Sequence, residues 1–245
     1  MKAWDSGGGG RELAVLALLL SPGLLAQRAF EKSGHVVYED RDGHRTDLGV
    51  GFSPVLTQRG EVALIRGRLF RFGDDFDCGR KEAKNWIAVY DPATKAERTL
   101  FDRALPFGHN DLQYCAFERM QLSPDEKTLY LVSPVYATSG SLAIVRLGAG
   151  TVTYVPGVND VYVIVSGLHR GELLYNQRMS HHVPRRRPED ESPWYPFVHA
   201  GADGKAIQVI ADEWVADGPD KAPKLAAYLR RIGGQIMVNG RAFPE

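Results

Sequence analysis

The sequence predicts an all-β fold of repeated four-stranded antiparallel units, with one C-terminal helix. Three observations carry this expectation. Short β-branched and aromatic runs recur in the same order along the chain. Turn-forming residues fall between them where hairpins need them. A single helical pattern stands apart, near the end of the chain.

The runs sort into three units. In the first, Glu61 to Ile65, Asn85 to Asp91 and Glu97 to Phe101 read as strands. The second has Lys127 to Val132, Ser141 to Leu147 and Thr151 to Val155; the third has Glu172 to Asn176, Trp194 to Ala200 and Ala206 to Ile210. Each trio follows a further short run, such as Val161 to Val165, that supplies the unit's first strand. The last two strands of each unit are joined by turn sequence: DPATK at Asp91 to Lys95, LGAG at Leu147 to Gly150, and AGADGK at Ala200 to Lys205. Repeated four-stranded antiparallel units are the blades of a β-propeller.

The segment LSPDEKTLYLVS, Leu122 to Ser133, resembles the repeat of TolB-like and WD40-like propellers, in which a Ser-Pro-Asp turn precedes an apolar strand. FSP at Phe52 to Pro54 and VSG at Val165 to Gly167 look like degraded copies of that signal. The resemblance covers roughly Val50 to Asp212. It implies a propeller fold. Propellers of this family ordinarily have more blades than this chain has units, so the array is either unusually small or a less regular sheet assembly. A fold of this kind does not by itself determine function.

The ends supply a fourth, shared unit. Gly34 to Asp40 and His44 to Gly49 form a hairpin pattern about Asp42-Gly43, and Gln235 to Phe243 forms another about Asn239-Gly240. Joining first and last strands in one blade closes the ring and removes exposed edges. Between them, Asp220 to Ile232 reads as the helix, with Asp220 as N-cap, Pro223 in the first turn and Gly233 as its stop.

The N-terminus carries a different signal. Leu13 to Leu25 is apolar apart from Ser21, Pro22 and Gly23, too short for a comfortable membrane span but suited to the core of a secretory signal. Residues 1–27 are therefore expected to be a signal peptide, or an anchor if uncleaved, and 34–245 the propeller-like domain of a periplasmic or secreted protein. Thirty basic residues balance thirty acidic ones, so no global field draws the chain to nucleic acid or to an anionic membrane.

No cofactor or metal set is expected. His181 and His182 are adjacent and point to opposite faces of an extended chain, and no HxH or HExxH spacing occurs. His109, Asn110 and Asp111 read as a capped turn. There is no GxSxG elbow, and GGGG at Gly7 to Gly10 has no strand before it. Propeller-bearing peptidases carry a separate hydrolase domain, for which these 245 residues leave no room.

The loops are more informative. In a propeller, Arg66 to Lys84, Gln177 to Pro193 and the connection Asp102 to Phe117 emerge on one rim. That rim would carry Phe70, Phe72, Phe76, Phe107, Tyr114 and the run Arg185, Arg186, Arg187, residue types enriched at protein-binding hot spots. Glu189, Asp190 and Glu191 offset the arginines, which argues against nucleic acid. Cys78 and Cys115 are either buried thiols or one disulfide. The shared face favours the disulfide. The reading that follows is a non-enzymatic exported module that presents the rim to a protein or peptide, an inhibitor or immunity role being one form of it. The alternative is a propeller-type hydrolase or lactonase acting at the central channel.

Overall fold

The computed structural model describes residues 27–70, 73–74, 77–80, 82, 84–107, 112–136, 139–180, 193–213 and 218–245. The export signal at Leu13 to Leu25, His109 to Asp111 and His181 with His182 lie outside them.

Four antiparallel sheets form a four-bladed ring. Blade one is β1 (Arg28–Lys32), β2 (His35–Glu39) and β3 (Arg45–Val50). Blade two is β4 (Phe52–Leu56), β5 (Val62–Arg66), β6 (Trp86–Asp91) and β7 (Ala96–Phe101). A short hairpin, β8 (Leu105–Phe107) with β9 (Leu112–Tyr114), leads to blade three: β10 (Arg119–Leu122), β11 (Thr128–Tyr136), β12 (Ser139–Arg146) and β13 (Val152–Pro156). Blade four begins with β14 (Val158–Val163) and β15 (Leu173–Gln177). A small pair, β16 (Met179–Ser180) and β17 (Pro193–Trp194), then precedes its outer strands β18 (Pro196–Ala200) and β19 (Ala206–Glu213). After it come α1 (Pro223–Ile232) and a last hairpin, β20 (Ile236–Val238) with β21 (Arg241–Phe243). The three repeated units fall on the expected strands.

The blades stack through the two faces of each strand. On β5, Ala63 and Ile65 enter the core shared with blade three, while Val62 and Leu64 enter the core shared with blade one. On β11, Leu129 and Leu131 face blade two, while Tyr130 and Val132 face blade four. This is why the inner strands read as nearly continuous apolar runs: a period of two sends alternate side chains into two different cores, both dry.

Among the described residues, no further four-stranded sheet follows blade four. Helix α1 takes that place, with Leu225 and Leu229 packing on Leu174, Phe197 and Ile210. The helix is shorter than expected. Asp220 sits in a 3-10 turn, Pro219–Lys221, and the N-cap is Ala222, which offers no side-chain acceptor. Pro223 occupies the first turn, where its missing N–H costs nothing, and Gly233 ends the helix at φ +64°.

The ends differ from expectation. A strand precedes residue 34: β1 pairs with β2 from Arg28↔Glu39 to Lys32↔His35. The C-terminal hairpin does not join blade one's sheet. Ile236 bridges Ile164 just beyond β14, and Gly240 lies against Arg28 and Ala29 of β1. The hairpin thus fills the seam between blades four and one by packing, because β1 already supplies blade one's inner strand.

Candidate functional site

Four inner strands line the axis: β1 beside β4, β4 beside β10, β10 beside β14. They enclose a cavity of about 470 Å³ that the C-terminal hairpin also lines. Each of these strands is the first in its sheet and is hydrogen-bonded on one side, so its other edge faces the channel.

Side chains tie neighbouring inner strands together around this axis. Glu31 Oε1 on β1 accepts from the Ser53 N–H of β4 at 2.7 Å. The Ser53 hydroxyl in turn accepts from the Met120 N–H of β10 at 2.7 Å. Arg119 of β10 reaches Asp160 of β14, Nε to Oδ1 3.7 Å. Ser53 is held at φ +51°, the left-handed region, which turns its N–H and hydroxyl to these two neighbours.

Asp160 is the most constrained carboxylate in the channel. Its Oδ2 accepts from the Tyr162 hydroxyl at 2.5 Å and its Oδ1 from the Val161 N–H at 3.0 Å. Burial raises its pKa, an effect opposed by the Arg119 guanidinium and by both hydrogen bonds. Tyr162 is pushed up as well, first by burial and then by the Asp160 charge, so it remains a phenol donor. Arg119 is half-exposed, its side chain 52 % accessible, and presents a fixed cation to the cavity. The walls between these groups are apolar: Phe30, Val55, Val163 and Met237. No histidine is among the described residues that line the cavity.

The rim residues meet different fates. Phe70 is fully buried beneath the Arg68 guanidinium, whose Cζ lies 4.4 Å from the ring centroid, so it belongs to the core rather than to the rim surface. Tyr114 ends β9 half-buried. Phe107 ends β8, with its side chain outside the description. Phe72, Phe76 and Arg185 to Arg187 lie outside the described residues.

Cys78 and Cys115 are joined in a disulfide, with Cα atoms 5.6 Å apart. The loop after β5 and the connection after β7 therefore do share a face. Asn85 fastens the same junction, its N–H donating to the Cys115 carbonyl at 2.7 Å.

Two groups of described side chains have the composition of metal ligands. Asp40, Asp42 and His44 form an exposed turn explained by its own bonding, since Asp40 Oδ1 accepts from the Asp42 and His44 N–H groups at 2.9 Å each. His169, Glu172 and His199 are different. His169 and Glu172 lie in the turn between β14 and β15, and His199 projects from β18, with all three ligand atoms within 4.8 Å of one another. The His199 ring is 2 % exposed, and burial lowers its pKa against the pull of Glu172. The sequence held no local sign of this group beyond His169 and Glu172 three residues apart.

No family model matches the chain, and no curated relative does. Among solved structures, the β-propeller domain of the Trilobed protease from Pyrococcus furiosus, described as having an open velcro topology, matches at TM-score 0.42 and 14 % identity over 74 % of this chain and 51 % of that one. TolB from Acinetobacter baumannii matches at 0.42 and 12 %, over 74 % and 41 %. Pyrococcus horikoshii acylaminoacyl peptidase matches at 0.41 and 12 %, over 74 % and 29 %. The chain is thus similar to TolB and other propeller domains at low identity. It spans about half or less of their length. The blades themselves rest on this chain's own sheet order and shared axial channel.

Proposed function

We propose that the protein is a non-enzymatic binding module, exported to the periplasm or cell exterior, whose axial channel receives a peptide segment of a protein partner. The observation that carries this reading is the cavity of about 470 Å³ lined by the inner strand of every blade, within the size range of ligand sites. Inner strand edges offer main-chain donors and acceptors to an extended chain, the interaction by which peptides add to a sheet. Phe30, Val55 and Met237 offer apolar contact, while Arg119 and Asp160 fix a cation and an anion that would orient the segment. The disulfide accords with an oxidising compartment. The rim loops around Cys78 and Cys115 would then frame the channel's partner rather than supply all of its contacts.

The test is to pan a phage-displayed peptide library on the full chain. Selected peptides are expected to lose at least about tenfold in affinity on Arg119→Glu and on Met237→Asp, and to bind Lys95→Ala like the parent. Peptides indifferent to both channel substitutions, in variants that melt normally, would place binding elsewhere and overturn the reading.

A further inference from the structure

We infer that His169, Glu172 and His199 form a binding site for a zinc-class divalent cation, separate from the axial channel. Three ligand types of this kind, two imidazoles and one carboxylate, suit Zn²⁺ and leave a fourth position for water or a ligand. Composition alone would be weak ground. The stronger observation is His199.

His199 is almost wholly buried, and its two ring nitrogens meet very different surroundings. Nδ1 lies 2.6 Å from the Tyr228 hydroxyl of α1, a hydrogen bond. Nε2 lies 2.6 Å from Glu172 Oε2, a close contact with the carboxylate. Glu172 Oε2 is also 2.9 Å from His169 Nδ1. One carboxylate oxygen therefore stands between two imidazole nitrogens, one of them buried. A cation at this point would meet all three groups at once.

The second shell has the form such a site needs. The Nδ1 bond to the Tyr228 hydroxyl fixes the ring with Nε2 turned toward the cluster. On binding a cation Nδ1 would be the donor and Nε2 the ligand, as in metal-binding histidines whose other nitrogen is hydrogen-bonded. The His169 and His199 rings stand edge to face at 81°, with centroids 5.1 Å apart, so they do not stack. His169 is about one-third exposed and gives the cation a path from solvent. Ligand atoms around tetrahedral zinc lie about 3.3 Å apart for bonds of about 2.0 Å, so binding widens the present contacts by less than about 1 Å.

The experiment uses the full chain without affinity-tag histidines, stripped with chelator and titrated with Zn²⁺ in a calorimeter. Co²⁺ provides a visible-absorption readout of coordination. One equivalent of Zn²⁺ is expected to bind, unaffected by millimolar Mg²⁺ or Ca²⁺, with the intense Co²⁺ bands of a four-coordinate site. His169→Ala and Glu172→Gln, both at positions accessible to solvent, should each weaken Zn²⁺ binding at least about tenfold. Tyr228→Phe should weaken it by about tenfold through loss of the Nδ1 bond. His44→Ala should leave it unchanged. A parent chain that binds no more tightly than His169→Ala would overturn the inference. So would a stoichiometric site that survives both His169→Ala and Glu172→Gln. Neither outcome bears on peptide capture in the channel.

Discussion

The Asn85 side-chain carbonyl accepts a hydrogen bond from the Phe117 N–H at 2.8 Å, across 32 positions of sequence. The same side chain donates its Nδ2 to the Arg68 carbonyl at 2.7 Å and to the Arg66 carbonyl at 3.3 Å. One buried amide thus satisfies main-chain groups of the loop leaving β5 and of the connection entering blade three. Asn85→Ala is expected to cost about 2 to 4 kcal/mol, since it strands several buried backbone groups at once. Urea denaturation of the variant measures this. A loss under about 1 kcal/mol would mean that water replaces the amide.

The disulfide beside that amide closes 37 residues. Replacing both cysteines by serine is expected to destabilise the protein by about 3 to 4 kcal/mol in the chain-entropy model. Mass spectrometry of unreduced protein should find no free thiol, and the reduced parent should melt near the double variant.

Glu39 on β2 is held from both sides of its sheet. It accepts from Arg28 of β1 at 2.9 Å and from Arg45 of β3 at 2.6 Å. These bonds bring its pKa to about 2 from a usual 4.5. The folded state therefore binds fewer protons than the unfolded chain between those values. Its contribution to stability is full above about pH 4.5 and is lost as pH falls through about 2. Denaturation series from about pH 6 downward should show Glu39→Gln with a shallower acid limb than the parent over that window. Parallel limbs would show that the pair of arginines does not act on Glu39 in solution.

Gly167 packs the turn carrying His169 against the end of α1. Its φ is +76°, and a Cβ placed there would lie 2.2 Å from the Gly233 carbonyl oxygen. Backbone cannot retreat as a flexible side chain can. Gly167→Ala is expected to cost about 3 kcal/mol from left-handed strain and the clash together, read as a fall in Tm. An unchanged Tm would mean that the turn and the helix end separate freely.

The strands of the three repeated units were legible because their causes are local. The apolar run Leu129 to Val132, the Ser-Pro-Asp turn before it and the glycine turn after Ser141 to Leu147 each act within a few residues. The stop at Gly233 was legible for the same reason. What a strand's two faces touch was not. Whether Leu129 and Tyr130 enter one core or two depends on how blades stack, and whether Phe70 is rim or core depends on how its loop folds back. Tertiary packing also chose the edge partners. RAFEK became blade one's inner strand because it pairs with β2, which left the C-terminal hairpin to fill a seam. The group His169, Glu172 and His199 is the extreme case. Its members come from a turn and from a strand beyond the long β15–β18 loop, and their spacing in sequence carries no period. Side-chain chemistry was written in the chain, but the distances that make chemistry out of it are set by blades closing around an axis, where contact depends on stacking geometry rather than on neighbours in sequence.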